Sequence, residues 1–129
     1  MLDNLEQLIR TNAGNVIDQN ELIEGKKNYV IKVVTEIFFE NLKALYVSNG
    51  IKGIMTFLDN GPAKSASFTD ITIARLTNTL ISKVNISHAS SHQIASVIIP
   101  VIVSKLVTKT NDRNDPEFSL DKIIDSFNT

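Results

Sequence analysis

The stretch Ile86-Ser-His-Ala-Ser-Ser-His-Gln-Ile-Ala-Ser-Val-Ile-Ile-Pro100-Val-Ile-Val-Ser-Lys-Leu-Val-Thr-Lys-Thr110 decides the fold class. Its density of Val and Ile suits a pleated strand at first sight. The polar residues argue against that. Gln93, Ser96, Pro100, Ser104 and Thr108 fall three or four apart, a narrow stripe along a helix without alternation of period two. Ile94, Val97, Ile98, Ile99, Val101, Ile102, Val103, Leu106 and Val107 leave the rest of the circumference apolar, as in a helix enclosed by others. The spacing therefore predicts a central helix over about residues 87–110, with Ser87 or Ser90 as its cap. Pro100 has no N–H to offer the Ser96 carbonyl, and its ring crowds that group, so a bend is expected there. Ser96 and Ser104, one turn to either side, carry hydroxyls able to satisfy the freed backbone groups.

Downstream, Asn111-Asp-Arg-Asn-Asp-Pro116 is a turn cluster. A short helix over about Ser119 to Phe127 should follow it, burying Leu120, Ile123, Ile124 and Phe127. Upstream, a brief joint at Asn85-Ile86-Ser87 separates the central helix from one carrying Phe68, Ile71, Leu76, Leu80, Ile81 and Val84. Ser67 with Asp70 three residues on resembles a capping box, Asp standing in for the usual Glu. Pro62 to Ser67 is linker-like but too short to separate a pair of domains.

The first half of the chain contains the longest predicted helix, residues 27–48. Val30, Val33, Val34, Ile37, Phe38, Leu42, Leu45 and Tyr46 cover a broad apolar face, and Lys32, Glu36, Glu40 and Lys43 line the opposite one. Ser48-Asn49-Gly50 supplies its stop. A shorter helix with Ile51, Ile54, Met55, Phe57 and Leu58 then runs to the breaker Asn60-Gly61-Pro62. At the start of the chain, Leu2, Leu5, Leu8 and Ile9 recur at helical spacing, and Gly14 in the left-handed conformation is expected to end that helix. Val16, Ile17, Leu22 and Ile23 suggest a further helical turn or two. The expectation is an all-α, multihelical single domain over residues 1–129, about six helices packed around a central, proline-kinked one.

Composition narrows the function classes. A chain of 129 residues that is 43% hydrophobic can bury its own core. Its 13 basic side chains face 14 acidic ones, and neither half of the chain has a marked excess of either sign. A dominant phosphate-binding surface would show as basic excess. The absence of cysteine removes disulfides, thiolate zinc sites and cysteine nucleophiles together. The N-terminus lacks a basic region followed by an apolar run, and the apolar stretch at 94–107 is interrupted and shorter than the roughly 20 residues of a bilayer span. A cytoplasmic protein without membrane contact is expected.

The C-terminal third, from Ile98-Ile99-Pro100 through Lys109-Thr110-Asn111-Asp112-Arg113-Asn114-Asp115, resembles the YidB-like family of bacterial proteins of unknown function, Bacteroidetes-type members above all. Met1-Leu2-Asp3 through Ala13-Gly14 is similar too, as is Gly50-Ile51-Lys52 with Phe57-Leu58. The resemblance covers most of the chain. It implies an all-α, multihelical fold and brings no catalytic residues with it.

Candidate chemistry is sparse. His88 and His92 share a helix face at the spacing of a two-histidine metal clamp, but there is no HExxH arrangement and no cysteine to complete a zinc site. Asp112 as the first position of a calcium loop would put Pro116, Glu117 and Ile123 where that loop needs a ligand, a glycine and a glutamate. Gly14, Gly25, Gly50, Gly53 and Gly61 build no phosphate loop, and there is no G-x-S-x-G elbow. Catalytic residues, cofactor and metal are all expected to be absent. The function expected is a non-enzymatic helical module that binds another protein or itself. Phe39 and Val47, eight residues apart on the 27–48 helix, are its candidate contacts. The alternative is nucleic-acid binding by a helix-turn-helix-like pair at residues 68–110, with His88, Ser90, Ser91, His92 and Gln93 offered to base edges.

Overall fold

Ser87 Oγ accepts the Ser90 N–H at 3.2 Å, which starts the central helix at His88 and selects the first of the two candidate caps. In this computed structural model residues 2–18, 26–64, 66–111 and 118–128 are described. They form α1 (Leu2–Asp18), α2 (Lys27–Lys64), α3 (Ala66–Val84), α4 (His88–Thr110) and α5 (Leu120–Phe127). No strand occurs among the described residues. The helical period of the 86–110 stretch thus prevails over the strand preference of its β-branched residues.

α4 packs against α1, α2 and α3. It buries Ile94, Ala95, Ile98, Ile99, Ile102, Val103 and Leu106, each such side chain contributing about 1.5–3 kcal/mol when a large aliphatic group leaves water. Gln93, Ser104 and Thr108 are exposed, as the polar stripe required. The core they face away from is one cluster drawn from all five helices, with Leu5 and Ile9 of α1, Phe38 and Leu42 of α2, Leu76 and Leu80 of α3, and Ile123 of α5 among its members. Thr72 and Ser91 are fully buried within it, and their hydroxyls donate back to the Phe68 and Ile86 carbonyls at 2.7 and 3.4 Å. By length and composition α4 would also serve as a membrane span. The interruptions at Ser96, Pro100 and Ser104, weighed above as shortening the run, leave its average hydropathy high enough.

Four boundaries differ from the sequence expectations. Gly14 does not end α1, which continues to Asp18 because Ala13 and Ile17 are core residues whose burial outweighs the roughly 1 kcal/mol cost of a helical glycine. Nor is Gly14 left-handed; a Cβ there would meet the Lys27 side chain at 3.5 Å, so the glycine marks where α1 passes the start of α2. The two helices expected at 27–48 and 51–58 are one helix of 38 residues. The expected stop at Ser48-Asn49-Gly50 takes the form of a left-handed Gly50, φ 68°, but the helix resumes beyond it, since Ile54, Phe57 and Leu58 are needed in the core. Asn60-Gly61-Pro62 does not stop α2 either, and the linker expected at 62–67 is overlapped by α2, which runs to Lys64, and by α3, which starts at Ala66. Five described helices therefore stand against about six expected. Leu22, Ile23 and the 112–116 turn cluster lie outside the described residues.

The remaining joints are closed by local chemistry. Asn85 sits at φ 59°, the Ile86 N–H reaches the Leu80 carbonyl at 3.4 Å, and Lys26 Nζ donates to the Val84 carbonyl at 3.0 Å. Together these give partners to the Leu80 and Val84 carbonyls at the end of α3. Ser119 Oγ accepts the Lys122 N–H at 3.3 Å and caps α5, one residue inside its predicted start.

Candidate interaction surface

The residues singled out for contact separate in the structure. Val47 is 75% exposed. Phe39 is half-buried, its ring 5.5 Å from that of Phe127, and Tyr46 packs on the same ring at 5.3 Å. Phe39 is therefore covered by α5 of its own chain, where the sequence expectation had it on an open flank. Val30, Val34 and Phe38, on the broad apolar face of the same helix, are fully buried core. Lys32, Glu36, Glu40 and Lys43 are exposed, as expected.

Val47 has different companions. Ile51 and Met55 follow it on α2 at intervals of four, 51% and 43% exposed. Ile71 on α3 is 61% exposed. The sequence reading assigned Ile51 and Met55 to a shorter helix and Ile71 to the next one, without separating exposed from buried members. A helical wheel carried the signal: on 100° steps, Met55 lies roughly 100° from the mean direction of Ile54, Phe57 and Leu58.

Beside this row, α2 and α3 enclose a groove of about 680 Å³. Its apolar lining comes from Leu45, Phe57, Phe68 and Ile71. Phe68 meets Phe57 and Phe38 edge-on, with ring centroids 4.7 and 5.5 Å apart, which fixes the two helices against each other at the floor. A polar clamp holds one end. Asn41 Nδ2 donates to Thr72 Oγ1 at 3.0 Å, Arg75 Nη1 donates to Asn41 Oδ1 at 2.6 Å, and Arg75 pairs with Glu40. The ion pair is solvated on both sides, so it adds at most about 1 kcal/mol, and the Asn41–Thr72 bond does most to fix register.

The two histidines stand at the start of α4, both exposed, rings parallel within 3° and centroids 6.3 Å apart. They line a separate cavity of about 430 Å³ with Asp70 and Ser96, whose hydroxyl lies 3.5 Å from the His92 ring nitrogens. No group of three metal-binding side chains converges among the described residues. Of the side chains offered to base edges, His88, His92 and Gln93 are exposed, Ser90 is half-buried, and Ser91 is in the core. No family model, curated protein or solved structure matches this chain.

Proposed function

We propose that this chain is a non-enzymatic helical module that pairs with a second protein chain, its own copy first. The observation that carries this is the exposure of Val47, Ile51 and Met55, three large apolar side chains on the stretch of α2 that flanks the left-handed Gly50. Single exposed apolar residues need no explanation, whereas three within nine positions are covered efficiently by a symmetric copy, where like residues meet across a two-fold axis. Phe39, covered by α5, contributes to the shape of that helix and not to the contact. Membership of the YidB-like family and a cytoplasmic location belong to the same proposal and rest on the sequence pattern alone.

Sedimentation of the purified chain, beside Val47→Glu, tests it. A wild-type dimer that Val47→Glu turns into a folded monomer supports pairing through the row. A monomer at every accessible concentration removes it. The second reading, a helix-turn-helix at residues 68–110, draws on the three-residue joint 85–87 and the exposed His88, His92 and Gln93. It requires duplex DNA binding that falls steeply with salt, whereas an apolar pairing hardly responds.

The same proposal includes a bend in α4. Pro100 lies inside the helix with no N–H for the Ser96 carbonyl, so the axis turns within one turn of it. Residual dipolar couplings of α4 fitting a single straight axis over residues 94–106 would refute the bend.

A further inference from the structure

We infer that His88 and His92 form a chelating site for a first-row divalent transition metal, copper(II) before nickel(II) or zinc(II). Both stand on the first two turns of α4, four positions apart, where a helix sets side chains one above the other with Cβ atoms about 5–6 Å apart. The orientation of the rings carries the site. The imidazoles lie parallel within 3°, their centroids 6.3 Å apart, and both line the cavity between α3 and α4. A metal–nitrogen bond of about 2.0–2.1 Å puts each centroid about 3 Å from a shared ion, so rings on neighbouring coordination positions have centroids roughly 4.5–5 Å apart. The remaining gap of about 2 Å closes by rotation about side-chain bonds, since both residues are exposed. The contact of Ser96 Oγ with the His92 ring, 3.5 Å to either nitrogen, is too long to tie one of them up.

Ligand chemistry selects the ion. Imidazole suits copper, nickel and zinc, whereas magnesium and calcium take oxygen ligands. Two protein ligands fall short of a closed zinc site, and no group of three metal-binding side chains converges among the described residues. Copper(II) needs no third. Two adjacent nitrogens on its tetragonal plane leave the other positions to water, and it heads the affinity order for such donors. Asp70, Asn78 and Ser96 line the same cavity, which gives that water hydrogen-bond partners and the dication a negative charge nearby. The site departs from the expectation of no metal, which rested on the missing third ligand. It shares no residue with the pairing surface proposed above.

Calorimetric titration of the tag-free full chain with copper(II) chloride in a non-coordinating buffer tests the site. His88 and His92 are the only histidines and there is no cysteine, so the whole-chain signal reports on this pair. Saturable binding of one ion per chain is expected, with electron paramagnetic resonance showing two coordinated imidazoles. His88→Gln and His92→Gln should each weaken binding at least about tenfold, because each removes a donor held at high effective concentration beside the other. His92→Gln combined with Gln93→His keeps two imidazoles but turns them about 140° apart around the helix, and it should bind as weakly as the single variants. All three positions are exposed, and circular dichroism shows that the fold is kept. Should one variant fail to fold, the other two still decide. The inference is overturned by absence of saturable binding, by one ion shared between two chains, or by the exchanged pair binding copper at wild-type strength. Sedimentation of the same samples keeps the two proposals apart: a monomer that binds one ion removes pairing and keeps the site, and a dimer without saturable binding does the reverse.

Discussion

Gly50 shows how much one residue decides here. Its φ of 68° lies in the left-handed region, where a Cβ crowds the following carbonyl, yet nothing lies within 4 Å of where that Cβ would stand. The cost of Gly50→Ala is therefore a backbone cost, expected at about 1 kcal/mol once the stiffer unfolded chain is counted. A shift of the urea midpoint measures it, and an alanine variant more stable than wild type would show α2 to be straight through residue 50 in solution. Gly53 is glycine for another reason: a Cβ there would sit 2.5 Å from Asn49 Cβ. At Ser87 the hydroxyl that accepts the Ser90 N–H has no substitute in alanine, so Ser87→Ala should lose about 1 kcal/mol by the same measurement.

Among the elements, α5 depends most on its neighbours. Eight residues cannot hold a helix in water unaided, so α5 persists through its docking on α2. Phe127 does most of that docking, through Phe39 and Tyr46. Phe127→Ala should cost about 3 kcal/mol, and the loss should be local. Amide exchange should quicken across residues 120–127 while α4 amides stay protected. Equal quickening in both helices would mean that α5 is integral to the global fold. α2 makes the converse point. Its left-handed glycine interrupts the helix without ending it, and both arms, Val30 to Leu42 and Ile54 to Leu58, return to the same core, where Phe38 and Phe57 meet the Phe68 ring.

The whole molecule rests on one core that draws on all five helices. A core of that kind should melt in a single transition, coincident by circular dichroism and by Tyr29 and Tyr46 fluorescence. Ile98→Ala, at its centre, should lower stability by about 2–5 kcal/mol without splitting the transition. Two resolved steps would mean that α1 and α5, or the second arm of α2, unfold independently of the remainder. Association belongs to this scale as well. Val47→Glu replaces a residue with little to lose from water, so its own stability should change by less than about 0.5 kcal/mol while its sedimentation reports on pairing.

The helical class, a helix over residues 88–110, a serine cap at 87 or 90 and the closing helix at 120–127 were all legible in the residues. Each depends on interactions within a few positions along the chain, or on the period of apolar side chains, which is a local property. The interruption at Ser48-Asn49-Gly50 was legible as well, although the helix resumes beyond it. The boundaries at Gly14 and at residues 60–62, and the fusion of two expected helices into α2, were not. There the local breakers are worth about 1 kcal/mol for a glycine, and burial of Ile17, Ile54 or Phe57 contributes more. The candidate surface followed the same division. An apolar excess on residues 27–48 could be counted from the sequence, but which members remained in water depended on α5 arriving over Phe39 and not over Val47. The groove had no sequence signature at all, because its walls are helices that meet only when Phe57 and Phe68 pack against each other. Local order follows from neighbours in sequence, whereas exposure and concavity are properties of the packed molecule, decided by which apolar faces cover one another.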